Sequence, residues 1–299
     1  NIRTSNTFGF DFDGKFSGGQ DAYRRAYDLL SEVEGGFKFN LLTTPELDFQ
    51  NHNRSVREAE EMIRGRGDAF YVFDGYPIDA GPSEAERPNL QSSYAATYFN
   101  WIAPIEGEFD FVPPSAVVAQ TYAQSDSIQD PWFAPAGIRR GEIPRVEEVN
   151  TRITEEELDR LYELQVNPIT FSDANGILFL GNKTLEPNLD SLLSSIDVRR
   201  TLVFIISEVR NTAADYLFEQ NDPETVQNFR ADIQRILATL QARGGIREYE
   251  VEVSNPTDLV EQRRRPNTIT ASVSVIPQPS SEYITVDFVI QEQSINVIG

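Results

Sequence analysis

"AFYVF", Ala69 to Phe73, is five consecutive large or small apolar residues with no polar alternate. A strand with one wet face would alternate with period two, so a run this short and this continuous predicts a strand covered on both faces. Covered strands belong to α/β layers with a partly parallel sheet. "FKFNLL" (Phe37 to Leu42) and "GILFL" (Gly176 to Leu180) read the same way. Between the apolar runs lie helical patterns. Asp21 to Glu32 carries a stripe at Ala22, Ala26, Leu29 and Leu30, and the glycines of "SGGQDA" (Ser17 to Ala22) shape a turn before Asp21 caps that helix.

Further along the chain the helix signals sharpen. Thr154 and Glu157 make a capping box ahead of Leu158, Leu161 and Tyr162. A longer helix is expected around Val198 to Leu217. The next has Asp222 as cap, Pro223 at its first position, a stripe at Val226, Phe229, Ile233, Ile236 and Leu240, and Gly244 as its stop. The period then changes to two. In "REYEVEV" (Arg247 to Val253), Tyr249, Val251 and Val253 alternate with glutamates, and "ITASVSVI" (Ile269 to Ile276) and "YITVDFVI" (Tyr283 to Ile290) follow, joined by the short turn "PQPS" as an antiparallel hairpin. "SNPTDLVEQRRRPN" (Ser254 to Asn267) reads as a surface loop. The fold expected is α/β and α+β: an N-terminal α/β domain over residues 1–145 with mostly buried strands, and a C-terminal α+β domain over 146–299 with two long helices and an antiparallel hairpin. A length of 299 residues suits two such domains.

Composition narrows the chemistry. Lys+Arg 26 against Asp+Glu 47 gives a net charge of −21, which repels phosphate backbones and anionic lipid, so no direct nucleic-acid partner is expected. The chain has no cysteine and one histidine, His52, so thiolate and histidine metal clusters are excluded. The longest apolar run, "LVFII" (Leu202 to Ile206), is far too short for a membrane span. The chain opens on Asn1 with no leader pattern, and is expected to be cut from something longer. Lys15, Lys38 and Lys183 are the only lysines; the arginine excess suits bidentate carboxylate contacts between copies of an acidic protein, or is a bias of composition.

Four motifs invite a catalytic or ligand-binding reading. "FGFDFDGKF", with Asp11, Asp13 and Gly14, resembles the first motif of haloacid-dehalogenase-type phosphatases, in which one Asp is the nucleophile, the next the acid/base, and Mg²⁺ neutralises the phosphate. No apolar strand precedes it and no later aspartate pair is evident, so an acidic turn is the competing reading. A calcium loop starting at Asp11 lacks its closing Glu, since position twelve is Ala22. His52, in the polar "FQNHNRS", is expected on an exposed loop, without a G-x-S-x-G serine for it to serve. "RRR" (Arg263 to Arg265) is expected to meet a partner's carboxylates rather than nucleic acid. No catalytic, cofactor or metal residue is assigned, and no enzyme activity is expected; the alternative is the Mg-dependent phosphatase on Asp11 and Asp13.

One long segment carries a resemblance. "VPPSAVVAQTYAQSDSIQDPWFAPAGIRRG" (Val112 to Gly141) resembles the signature of contractile tail sheath proteins of myovirus-type bacteriophages, relatives of contractile bacteriocin and secretion sheaths. "SSYAATYFNWI" (Ser92 to Ile102) is similar to a second family segment, with Asn100 where proline is common. "LQVNPITF" (Leu164 to Phe171), "GILFLGNKTL" (Gly176 to Leu185) and "IDVRRTLVFI" (Ile196 to Ile205, Asp197 replacing the usual Asn) follow in family order. "YLFEQNDPETVQNF" (Tyr216 to Phe229) and "IPQPSSEYITVDFVI" (Ile276 to Ile290) complete it.

The resemblance implies a mechanical, non-enzymatic role. Many copies would assemble around a tail tube on a baseplate and pass cooperatively into a shorter, wider lattice, in the tail of a virion assembled in the host bacterial cytoplasm. The partners implied are other copies of the chain, the tube protein and the baseplate, with no small-molecule substrate and no cofactor. It also implies that arms of neighbouring subunits add strands to a sheet edge offered by the hairpin Ile269 to Ile290. Those native N- and C-terminal arms are expected to be missing here, so that this chain does not polymerise alone. Within "DPWFAPAGIRRG" (Asp130 to Gly141), prolines restrict the backbone, glycines permit turns, and Trp132 and Phe133 supply buried area, so the stretch reads as a rigid joint with Arg139 and Arg140 left for carboxylates.

Overall fold

In the computed structural model, which describes residues 19–32, 36–104, 111–254 and 268–280, all five residues of strand β2 (Phe70–Asp74) are buried. The reason is the sheet around it. β1 (Leu41–Asp48) and β3 (Ala95–Phe99) flank β2 in parallel, β6 (Asn167–Ser172) continues parallel to β3, and β7 (Gly176–Phe179) closes the sheet antiparallel to β6. Alternate β2 side chains go to opposite cores. Phe70 and Val72 meet Val118 and Tyr122 of α3 (Pro114–Ile128), while Tyr71 and Phe73 meet Val56, Ala59 and Ile63 of α2 (Phe49–Arg66). Each such aromatic withdrawn from water contributes about 2 kcal/mol gross, and from Phe70 to Phe73 both faces of β2 meet apolar side chains.

The sheet draws strands from both sides of residue 145, because β6 and β7 complete what β1 to β3 begin. Between them, the short β4 (Ile102–Pro104) and β5 (Val146–Val149) pair antiparallel, and α4 (Glu155–Glu163) starts at the expected Thr154/Glu157 capping box. Its Leu161 is fully buried.

The C-terminal layer matches the periodicity closely. α5 (Ile196–Asp215) and α6 (Pro223–Ala242) are the two long helices, with Asp222 accepting from Thr225 N at the cap of α6 and Gly244 in the left-handed region just past its end. Phe229, Ile233, Leu237 and Leu240 of α6 pack on β8 (Ile246–Ser254). β8 keeps Val251 and Val253 in and Glu248, Glu250 and Glu252 out. Its partner is β9 (Thr270–Pro277), in register from Ser254↔Thr270 to Glu248↔Ile276, with a shift before Ile246↔Pro277. Among the described residues the antiparallel pair is β8 with β9; the segment expected to pair with β9, Tyr283 to Ile290, and the arginines Arg263 to Arg265 lie outside the described residues.

Three expectations are corrected. β1 starts at Leu41 rather than Phe37, which is 65% exposed: the Phe37 carbonyl is taken by Arg66, whose guanidinium also covers the Phe39 ring at 4.4 Å. In α1 (Gly19–Ser31) the helix begins ahead of Asp21; of the expected stripe Leu30 packs inward, beside Tyr23 and Tyr27, while Ala26 and Leu29 face out, and the two rings bury far more area than an alanine would. His52 is on no loop. It sits in the first turns of α2 at a kink (φ −125°, ψ 28°), its side chain 17% exposed and its Nδ1 3.3 Å from Asp48 Oδ2. Asp48 is also the cap of α2; burial pushes its carboxyl up, and hydrogen bonds from His52 and Asn51 outweigh that and hold it below its ordinary value.

Candidate functional site

The stretch Asp130 to Gly141 spans the two layers. At its start, Trp132 is buried in the α6–β8 core, edge-on to Phe204 of α5 at 5.6 Å. Its indole Nε1 donates to the Arg243 carbonyl at 3.2 Å, and Arg243 reaches back to Asp130 Oδ1 at 2.6 Å. The ring rests directly on Gly245, where a Cβ would stand 3.0 Å from Trp132 Cγ. At its end the same stretch is laced to the sheet. Gly137 N donates to Phe179 O and Phe179 N to Gly141 O, both 2.8 Å, and Ile143 N donates to Ile177 O at 3.0 Å. Gly137 has φ 74°, and a Cβ on Gly141 would lie 2.8 Å from Ala136 Cα, Gly137 N and Phe179 O. Only glycine fits such a turn. The joint therefore ties α6 and β8 to β7 within one subunit. Arg140 is not left for carboxylates: its Nε donates to Ala134 O at 2.8 Å and it covers Phe133. Arg139 is exposed.

The other quoted segments converge on a second knot around the N-terminus of α5. Asn167, at the start of β6, donates to Thr97 O (3.0 Å) and Lys183 O (2.8 Å) and accepts from Lys183 N (2.7 Å). Gly181 crosses it so closely that a Cβ would come within 2.3 Å of Asn167 Oδ1. Asn182 and the fully buried Asp197 exchange hydrogen bonds, 2.9 Å from Asn182 Nδ2 to Asp197 Oδ1 and 3.3 Å from Asp197 N to Asn182 Oδ1. Asp197 also accepts from Val198 N and from Ser280 N, each at 2.9 Å. Arg199 stacks on Tyr94 at 4.0 Å and donates to Ser93 Oγ; Arg200 stacks on Tyr122 at 4.5 Å and pairs with Asp126 at 2.5 Å. Burial pushes the Arg199 pKa down. Each side chain fastens a crossing of chain segments.

Two further residues complete the frame. Asn100 has φ 108°, which a proline cannot adopt. Its amide donates to Thr151 O (2.6 Å) and Ile169 O (3.1 Å) and accepts from Thr151 N (3.0 Å). Asp74, at the end of β2, is fully buried and accepts from Glu46 N at 2.8 Å, Ser115 N at 2.9 Å and Ser115 Oγ at 3.0 Å. Burial raises its pKa to about 7, against the pull of those hydrogen bonds. The sequence reading passed over Asp74. The signal was there: a lone acid ending a fully apolar run is carried into the interior with it. Asp11 and Asp13 lie outside the described residues. Among the described residues no group of three or more His, Asp and Glu is placed to hold a metal ion, and no helix is long and apolar enough to cross a membrane.

Residues 19–185 match the family model of the phage tail sheath protein central domain, and residues 189–291 that of the phage tail sheath C-terminal domain. The tail sheath protein of Enterobacteria phage T4 is 32% identical over 215 residues, covering 70% of this chain and 32% of that protein. That of Vibrio phage KVP40 is 28% identical over 215 residues, covering 70% of this chain and 31% of that protein. The chain thus spans about a third of the length of these curated relatives. Among solved structures, the contracted helical sheath of the anti-feeding prophage superposes with a TM-score of 0.72 at 20% identity, over 93% of this chain and 76% of that one. The contracted PVC sheath of an extracellular contractile injection system gives 0.71 at 21% identity, over 91% and 80%. The fold is shared, the family segments are the knots of that fold, and the chain belongs to the phage tail sheath family.

Proposed function

We propose that the chain is part of a structural subunit of a contractile phage tail sheath, which polymerises around the tail tube on a baseplate and contracts to drive the tube through the host envelope. The observation that carries the reading is the use made of the family segments: Asn167, Asp197, Arg199, Arg200 and Trp132 all fasten one segment of the subunit to another. A lattice that moves between two arrangements needs subunits that stay rigid while contacts between them change. On this reading the subunit is not an enzyme and takes no substrate or cofactor. It touches no nucleic acid directly, and it resides in the virion tail after assembly in the host cytoplasm.

The β8–β9 sheet supports a role as the receiving edge for neighbours' arms, since β9 alternates exposed and half-buried residues along its length. The subunit then divides into a sheet unit and a helix-and-hairpin unit bridged by the joint at Asp130 to Gly141. The test is expression of the complete gene with its tube protein. Negative-stain microscopy should show tubes in two diameters, and a protein that stays monomeric with its tube, or that turns over phosphate esters with Mg²⁺ through Asp11, would overturn the reading.

A further inference from the structure

Along one side of α5 runs an open groove of about 810 Å³, walled by residues 38–40, Arg66 and Asp68 opposite the row Ser207, Arg210, Asn211, Ala214 and Leu217. Its charge opposes that of the molecule. Among the described residues Lys38, Arg66 and Arg210 line it with a single carboxylate, Asp68, on a chain of net charge −21. Arg66 is spent inside, with Asp68 at 3.0 Å and the Leu30, Glu32 and Phe37 carbonyls. Lys38 and Arg210 are the outward cations. Lys38 is exposed and held to Asn211 at 2.9 Å, and Arg210, 44% exposed, is held to the Arg66 carbonyl at 2.8 Å and to Asp68 at 3.3 Å.

Beyond the last turn of α5 stands an apolar pair that the described residues leave uncovered. Leu217 is 67% exposed and Phe218 fully so. Phe218 also holds φ at 69°, a conformation that costs a non-glycine residue on the order of 1 kcal/mol or more. An aromatic held in strain and exposed to water gains nothing from the described residues around it, whereas aromatics, Phe among them, are enriched in the buried core of interfaces.

From the opposed charge and the strained, uncovered Phe218, we infer that this groove and its Leu217–Phe218 rim receive an acidic, apolar-bearing segment of a second copy of the chain. The exterior of another copy is itself the acidic partner that such a groove complements. The contact joins a cationic groove to a different, acidic patch, so it is heterologous and propagates into an open polymer. It rests on the sheath reading for its polymer and goes beyond it in naming where copies touch.

The test uses the full-length protein co-expressed with its tube. Phe218→Gly should melt no lower than wild type, since strain is removed, yet yield at least tenfold fewer tubes; Arg210→Gln should lower tube yield likewise with the monomer folded by circular dichroism. These 299 residues contain no cysteine, so with any cysteine elsewhere in the full-length protein replaced by serine, Ala214→Cys labelled with a benzophenone maleimide, and diluted tenfold into wild type, should cross-link in assembled tubes to an Asp/Glu-rich peptide of another sheath subunit. Full tube yield from Phe218→Gly, or cross-links only to the tube protein or to the labelled chain itself, overturns the inference. Wild type that forms no tubes at all removes the sheath reading first, and this contact with it.

Discussion

The Arg243 guanidinium stands 5.5 Å over the Trp132 ring while the carbonyl of the same Arg243 accepts the Trp132 indole N–H at 3.2 Å. One residue at the end of α6 thus grips, by two routes, the aromatic that anchors the joint to the C-terminal layer. Trp132→Ala removes a buried ring and its hydrogen bond, and should cost about 3 to 5 kcal/mol in chemical denaturation. Trp132→Phe, which keeps most of the area, should cost less than half of that. Equal losses for the two would show that the ring's area is not what secures the joint.

At the other end of the joint, Gly141→Ala forces a Cβ to within 2.8 Å of three backbone or Cα atoms. The strain should be about 1 to 3 kcal/mol or more, because no flexible side chain is available to give way. Hydrogen exchange should quicken at the amides of Gly137 and Phe179, whose bonds across the turn are disturbed, and leave the α6 amides unchanged.

These two ends show what was legible in sequence. Period and cap chemistry are local, so the Thr154/Glu157 box, the Asp222–Pro223 start of α6 and the alternation of β8 could be read directly. Trp132 and its glycines announced a joint by residue type, since no mere linker needs a large ring beside turns restricted to glycine. What the joint connects was not legible, because Gly245 and Phe179 are remote in sequence. The same holds for β6 beside β3, and for Asp197, whose partners Asn182 and Ser280 are brought to it by the fold. Tyr23 and Tyr27 took the buried face of α1 because helix packing is decided by the neighbour's shape as well as by the stripe.

Asp74 predicts a pH dependence with a definite sign. Its carboxyl has an ordinary value of 3.8, raised by burial to about 7 in the folded chain. Between those values the folded state binds the proton that the unfolded state has lost, so stability falls as pH rises from about 4 to about 7. The full effect is on the order of 4 kcal/mol, at about 1.4 kcal/mol per unit. Asp74→Asn stays neutral throughout, so the difference in unfolding free energy between wild type and variant should change by a few kcal/mol across that window. A constant difference would mean that Glu46 N, Ser115 N and the Ser115 hydroxyl keep Asp74 ionised at every pH tested.

Asn100 tests whether its positive-φ backbone is a structural requirement. At φ 108°, Asn100→Pro cannot be accommodated and should leave the chain unable to fold, as judged by loss of the near-ultraviolet circular dichroism of its buried aromatics. Asn100→Gly keeps the backbone conformation and forfeits the amide's bonds to Thr151 and Ile169, at about 1 to 3 kcal/mol. A folded proline variant would require the turn to adopt a different path.

Asp197 has both carboxylate oxygens in use: Oδ1 for Asn182 Nδ2 and Val198 N, Oδ2 for Ser280 N. An amide in the same place presents an NH₂ to one of these donors. Keeping Oδ1 for the two neighbours at the head of α5 sets that NH₂ against Ser280 N, the more remote contact. Asp197→Asn should therefore cost about 1 to 3 kcal/mol, concentrated at residue 280. Exchange at the Ser280 amide should rise at least tenfold, while the interior amides of α5 keep their protection. Uniform loss of protection along α5 would instead mean that Asp197 holds the helix itself, and that the tether to Ser280 follows from α5 rather than from the carboxylate.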